Sequence, residues 1–512
     1  MKYIFFNLKI LAVFAAFFTV NLSADAQLTG DGSEGNPYKI NTAVQLAQLA
    51  TYINDGTAPY ADAGKHYQLE NDIDLSEYGA EFNDGQGWIP IGNNWGIRFN
   101  CFFDGNHKTV TGLWINNWSL TFNGLFGYID NGIVKNLNVI NAWVNSSRGD
   151  ETDYAGIIAG VTSESSVINC YTSGYIISGS YGANTHVGGI VGQQGQGNIS
   201  NCYSNVSVNG CDYSEQSYAG GIVGVNNGSV SNCYSIGEVN SSAKGDSYAG
   251  GIAGSNGGTG IVSNCYSKGS ISSISTVTPN NTGSGGIIGI NVGSVLNCYS
   301  ICSINGTANN TLTGGIVGWN FGNVLSCVAL NPGITGSATG AHYVGRVAGA
   351  NYDGILSGNI GFNEMLNPDG ETTWNNIGTT QIDGENITIE AIHADGAFGG
   401  RFSNANGWTT ENGKLPGLSG TAVDMPPHLG GSGITVNSIF QSLNAYYKDG
   451  VLHISGLISG ESLKIYNLAG MVVYENHSTT GANLRVCPKT IPNGIYIVQS
   501  GNRTTKTVVS DF

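Results

Sequence analysis

The chain has 512 residues, of which 78 are glycine and 40% are hydrophobic, and it carries a formal net charge of -16 although only 11% of its residues are charged. Glycine stands at about twice its usual ~7% share while the apolar fraction is ordinary, which points to a turn-dense folded β protein and away from a disordered one. A sparse acidic surface without a basic patch argues against nucleic acid and anionic membranes as partners.

Residues 1–26 read as a secretory signal: Lys2 and Lys9 lead, Ile10 to Val20 is apolar, and Ala24-Asp25-Ala26 offers a small-residue cleavage site. No cysteine follows that site, so no lipid anchor is expected. No later apolar run reaches the ~18 residues of a membrane span. The protein is therefore expected outside the cell or on its outer surface. Residues 27–122 read as a cap and first irregular coils. Asp31 to Tyr38 is turn-rich. Thr42 to Tyr52 follows as a helix capped at Asn41-Thr42, with Val44, Leu46, Ala47, Leu49, Ala50 and Ile53 at helical spacing, suited to covering the open end of a solenoid. Asp72 and Asp74, two apart, could hold calcium or accept hydrogen bonds from turn amides.

Residues 123–350 repeat one phrase. Its glycine form runs through Gly124-Leu125-Phe126-Gly127, Gly189-Ile190-Val191-Gly192, Gly221-Ile222-Val223-Gly224 and Gly286-Ile287-Ile288-Gly289 to a worn copy at Gly345-Arg346-Val347-Ala348-Gly349. A second phrase pairs Asn169, Asn201, Asn232, Asn264 and Asn297 with Cys170, Cys202, Cys233, Cys265 and Cys298, ending at Ser326-Cys327. Successive cysteines from Cys170 to Cys327 lie 32, 31, 32, 33 and 29 residues apart. Such a period marks units that bury a core only by stacking. Short Val- and Ile-rich runs bounded by Asn and Gly read as strands, three to a coil, the first around Ile222 and Val223. The apolar residue three before each cysteine and the cysteine itself both point inward only if the chain bends between them. Asparagine suits that bend because it tolerates positive φ, and its amide can bond to the equivalent Asn above and below. The expectation is an Asn ladder, an inward Cys ladder of thiols and an outward Tyr ladder.

On these phrases the chain resembles proteins built on the GLUG motif, over roughly residues 36–418. Tyr67 to Leu75, Trp88 to Gly92 and Phe103 to His107 are similar to the leader of such repeats, and Lys414 to Leu418 to their closing phrase. The resemblance implies a secreted, cell-surface type of repeat protein and brings no catalytic residues with it.

Residues 351–418 read as the closing segment, 419–435 as a linker, and 436–512 as a separate domain with six alternating strands. Leu463 to Val473 and Gly494-Ile495-Tyr496 resemble the C-terminal sorting domain of the type IX secretion pathway, although the chain ends in Val509-Ser510-Asp511-Phe512 where a basic tail is usual. The expected fold is all-β: a right-handed parallel β-helix with an N-terminal capping helix, then a small immunoglobulin-like β-sandwich.

No HExxH, GxSxG or P-loop occurs, and no metal or cofactor is expected. Asp153, Glu215 and Asp246 precede equivalent strands and are candidates to line one edge. Aromatics are the stronger signal. Tyr171, Tyr203, Tyr234, Tyr266 and Tyr299 should stack on one face, and Tyr154, His186, Tyr218 and Tyr248 along another edge, offering flat surfaces to sugar rings. The plain alternative is that the rings only stiffen the coil. The expectation is a monomeric, non-enzymatic, adhesin-like protein with a polysaccharide or a host or cell-surface protein as partner. A polysaccharide-active lyase or hydrolase of β-helix type and a structural spacer are the alternatives.

Overall fold

The computed structural model describes residues 27–149, 151–211, 213–277 and 279–430, and beyond them the strands between Asn444 and Val509. The expected signal, Cys487 and residues 431–443 lie outside the described residues. The chain divides into two compact units at Gly431 and Ser432.

The first unit is a parallel β-solenoid with three sheets. A broad sheet holds 25 strand segments and two narrow sheets hold eight each. One coil shows the plan: Ser217–Gly220 lies in the first narrow sheet, Val223–Asn226 in the second, and Ser229–Ser231, Tyr234–Ser235 and Glu238–Ala243 in the broad one. Each strand pairs in parallel with its counterpart one coil on, as Tyr203 does with Tyr234 and Tyr234 with Tyr266.

The glycine phrase is half corner and half strand: Gly221-Ile222 makes the corner, and Val223-Gly224 opens the strand expected there. The corner joins the two narrow sheets, and it folds so tightly that no side chain fits. A Cβ on Gly220 would lie 1.9 Å from the Val223 carbonyl oxygen, and one on Gly221 would lie 2.2 Å from the Gly251 oxygen and 2.3 Å from Ser235 Oγ. The worn copy shows the rule by exchange. Arg346 occupies the second glycine position and Gly361 replaces the residue facing it. The buried guanidinium donates from Nη1 to the Gly361 and Phe362 carbonyls and from Nη2 to the Gly384 carbonyl, each at 3.1 Å, closing the last coil.

The bend before each cysteine is real. Asn169, Asn201, Asn232, Asn264 and Asn297 have φ of +54, +53, +53, +52 and +50°, and Ser326 has +56°. Cys170, Cys202, Cys233, Cys265, Cys298 and Cys327 point into the core beside Val167, Ile199, Val230, Val262, Val295 and Val324. None of the described cysteines forms a disulfide. The sulfurs instead serve the bend. Each thiol donates to the carbonyl two residues earlier, as Cys233 does to Ser231 at 3.1 Å, and Cys202 N–H donates to Cys233 Sγ at 3.4 Å. At the end of the row Cys327 N–H finds Asn359 Oδ1 at 2.9 Å instead. A group that both donates and accepts yet tolerates a dry core is what this position demands.

The Asn ladder departs from expectation. Asn169 Nδ2 donates to Asn136 Oδ1 at 2.8 Å, but the side-chain oxygens of Asn232 and Asn264 have no partner. The continuous amide ladder sits at the end of the second narrow sheet, where Asn226, Asn256, Asn291, Asn320 and Asn351 hand hydrogen bonds from coil to coil at 2.8, 2.8, 2.7 and 2.6 Å. Its signal is an asparagine two residues after each second-sheet glycine.

Helix Ala43–Asn54 opens on the Thr42 cap, whose side chain accepts from Gln45 N, and buries Leu46, Leu49, Ala50 and Ile53. Val44, expected on the apolar face, is 41% exposed. Asp72 and Asp74 accept from the Thr109 and Ser76 amides, at 2.8 and 2.9 Å. At the other end, residues 419–430 are not a loose linker. Leu429 is buried, and His428 Nε2 lies 2.7 Å from the Leu330 carbonyl.

The second unit has two antiparallel sheets, Asn444–Lys448, Val451–Ser455 and Asn483–Val486 in one, Leu463–Asn467, Val472–Asn476, Gly494–Ser500 and Arg503–Val509 in the other. Leu452 and Ile454 from the first share a core with Leu463, Ile465, Tyr496 and Val498 from the second, so the sheets face each other as a sandwich. The strand Asn444–Lys448 adds to the six expected.

Candidate ligand-binding faces

Tyr171, Tyr203, Tyr234, Tyr266 and Tyr299 stand in register one above another on the outer face of the broad sheet, one residue past each inward cysteine. Ring centroids are 4.4 Å apart from Tyr203 to Tyr234, 4.7 Å from Tyr234 to Tyr266 and 5.1 Å from Tyr266 to Tyr299, all stacked. Only the first part of this row is open. The closing segment folds back over the rest, laying Phe398, Phe402 and Trp408 against Tyr299 at 6.4, 5.7 and 5.7 Å, while Tyr299 donates its hydroxyl to the Pro416 carbonyl at 2.6 Å. Tyr266 and Tyr299 are therefore buried, which corrects the expectation of a fully exposed ladder. Tyr171, Tyr203 and Tyr234 remain half-buried.

The second row lies on the first narrow sheet. Phe122, Tyr154, His186, Tyr218 and Tyr248 follow one another at 5.5, 5.1, 5.2 and 5.3 Å. The glycine corner turns outward residues of the two narrow sheets toward each other, so His186 Nδ1 comes 2.7 Å from Gln193 Oε1 and Phe122 packs on Tyr128 at 5.5 Å. A re-entrant strip results. Burial pushes His186 down to about 4, so the imidazole is neutral at physiological pH. Tyr248 is buried, its ring folding over Gly283, where a Cβ would stand 2.9 Å from it. Trp95 closes the strip at its first end, 4.7 Å from Phe122, and is 51% exposed.

The three carboxylates do not share an edge. Asp153 pairs in register with Thr185, and Thr185 with Ser217, so it points inward. Asp246 sits one residue before the equivalent Ser247 and takes the other face, where it accepts from the Tyr248 hydroxyl at 3.2 Å. Glu215 is exposed. Asp153 is enclosed by Ser146 Oγ at 2.7 Å, Ser178 Oγ at 2.8 Å and Asn123 Nδ2 at 3.1 Å. It belongs to a seam of buried hydroxyls that continues through Ser217, Ser241 and Ser247. Among the described residues no group of three or more His, Cys, Asp or Glu side chains is placed to hold a metal ion. No helix among them is long and apolar enough to cross a membrane.

Three of these coils carry the GLUG motif. The family model of that name matches residues 183–209, 215–240 and 245–272. Two curated relatives match part of the chain: a "Putative Gly-rich membrane protein" of Evansella cellulosilytica, 36% identical over 138 residues, and "Halomucin" of Haloquadratum walsbyi, 37% identical over 137. Each match covers 26% of this chain but only 15% and 1% of those proteins. A solved structure described as a "putative immunoglobulin A1 protease" from Bacteroides ovatus aligns over 77% of this chain and 95% of that one, at 19% identity and a TM-score of 0.41.

Proposed function

We propose that the protein is a secreted or surface-attached, non-enzymatic β-solenoid of adhesin type, which holds glycan or protein ligands along its side face. The observation that carries this reading is the pair of outward aromatic rows, each keeping three rings partly open on the same three coils: Tyr171, Tyr203 and Tyr234 on the broad sheet, Tyr154, His186 and Tyr218 on the narrow one. On the broad sheet Tyr203 stacks on Tyr234 at 4.4 Å, a stiff, flat surface with little ordering cost on binding, while Tyr154, His186 and Tyr218 meet edge to face at 5.1 and 5.2 Å and form a ribbed one. The GLUG coils and the relative described as a Gly-rich membrane protein fit an exposed, repetitive protein. In this reading residues 1–26 export the chain and the immunoglobulin-like sandwich at 436–512 serves as a sorting domain.

A polysaccharide-active enzyme would need one carboxyl held protonated beside a second in an open groove. Of the described carboxyls that burial raises, Asp153, at about 6, faces the inside of the coil, and Glu238 lies on the outer face of the broad sheet. A mature protein tested on a glycan array, with Tyr203→Ala/Tyr234→Ala and Tyr154→Ala/Tyr218→Ala beside it, decides the matter. Ligands should be lost in at least one double variant; equal binding by all three proteins would remove the side face from the function.

A further inference from the structure

A cleft of about 500 Å³ opens between the end of helix Ala43–Asn54, the turn at residues 96–100 and Asp130. Its walls are fixed. Asn54 clamps the helix end to the next coil, donating from Nδ2 to the Pro90 carbonyl at 3.0 Å and accepting from Gly92 N–H at 2.9 Å. Arg98 is held in place from three sides: Nε donates to the Trp95 carbonyl at 2.7 Å, Nη1 donates to Asp130 Oδ2 at 2.8 Å, and the guanidinium carbon lies 5.0 Å over the Tyr128 ring. Its Nη2 donors are left over after these contacts. The exposed Asp55 carboxylate lines the same cleft. Trp95, whose carbonyl holds Arg98 and whose 51% exposed side chain rests on the same Tyr128 ring at 5.7 Å, adjoins the lining residues Gly96 to Arg98.

We propose that this cleft binds a neutral glycan, a deepening that rests on the adhesin reading above. Sugar hydroxyls both donate and accept, and here two carboxylates accept while a pre-positioned guanidinium donates. An exposed indole nearby suits the C–H face of a pyranose ring. A sulfated or uronic chain would meet two carboxylates against one guanidinium on a molecule of net charge -16. Because Arg98 and Trp95 are already fixed, little side-chain freedom remains to be lost on binding.

The test is calorimetric titration of the full mature protein with neutral hexasaccharides of glucose, mannose and galactose, and with a sulfated hexasaccharide. Wild type is compared with Arg98→Ala, Trp95→Ala and Tyr203→Ala/Tyr234→Ala, all checked for unchanged melting. At least one neutral hexasaccharide should bind wild type, and both cleft variants should weaken it by about 10-fold or more, with the tyrosine variant unaffected. Loss in the tyrosine variant alone would overturn the cleft and leave the side-face reading standing. Loss in the cleft variants alone would support the cleft and leave the tyrosine rows to be judged by the array. Absence of neutral-sugar binding, or preference for the sulfated chain, would overturn the cleft; the side-face reading, which also admits protein ligands, would still be judged by its own array.

Discussion

Asp153 is a carboxyl enclosed in a dry coil with hydrogen-bond donors but no cation. Desolvation outweighs its bonds from Ser146, Ser178, the Gly179 N–H and Asn123, so its pKa is pushed up to about 6 from an ordinary 3.8. The fold favours the protonated form. The stability this group supplies is therefore complete below about pH 4 and is lost as pH rises through 6, an effect of roughly 2 to 3 kcal/mol by pH 7.5. Asp153→Asn should abolish that slope and melt higher than wild type at pH 7.5, since its amide can donate to the two serine oxygens while its carbonyl accepts from Asn123. Melting curves from pH 4 to 8 would show it; a wild type that grows more stable with rising pH would refute the assignment. The cysteines make a second residue-scale case. Cys233→Ala removes the acceptor of the Cys202 N–H and leaves a small void, a cost of about 1 to 3 kcal/mol, readable as a drop in the denaturation midpoint, whereas a structural thiol without that role would cost much less.

Single elements owe their shape to the glycine corner. In Gly251→Ala the new Cβ would stand 2.1 Å from the Gly286 carbonyl oxygen, in the corner of the next coil, and 2.5 Å from Ser267 Cβ, on the broad-sheet strand Tyr266–Ser267, so the corner must open. A loss of more than about 3 kcal/mol is expected, against near neutrality for Gly35→Ala, where nothing lies within 4 Å; comparable midpoints for the two variants would show that the corner is looser than its geometry. Much of the coil was legible before any coordinates, because period, inward cysteine and bent asparagine follow from side-chain parity alone. What parity could not supply was phase. Asp153 and Asp246 differ by one position relative to their strands, too little to see across loops of unequal length, yet enough to send one inside and the other out. The hydrogen-bonded asparagines at 226, 256, 291, 320 and 351 are equally periodic, but a single strand read through Ile222 and Val223 hides the corner at Gly221-Ile222 that places them. The aromatic strip depends on two sheets meeting across that corner, and the Arg98 cleft on the capping helix meeting the turn at residues 96–100, facts no single repeat contains.

The whole solenoid is otherwise a one-dimensional stack in which each coil touches only its neighbours, so local damage should stay local. The closing segment breaks that rule. It crosses the outer face from Tyr299, whose hydroxyl it takes through Pro416, past Tyr266 under Trp408, as far as Asn232, whose side-chain oxygen lies 3.6 Å from where a Cβ on Gly407 would be. Coils separated by some seventy residues, from Asn232 to Tyr299, are thereby tied to one strap. Trp408→Ala should cost about 3 to 5 kcal/mol, as truncation of a buried aromatic does, and the cost should be confined to the coils the strap covers. Trp408→Phe keeps a ring and discards a buried indole N–H that has no partner, so it should stay within about 1 kcal/mol of wild type. Hydrogen exchange separates this from general destabilisation: in Trp408→Ala, amides of residues 231–330 should lose protection while those of 123–200 keep theirs. Equal loss along the entire stack would mean that the coils unfold as one unit without the strap, and no loss anywhere would mean that the strap rests on the tyrosines without holding them.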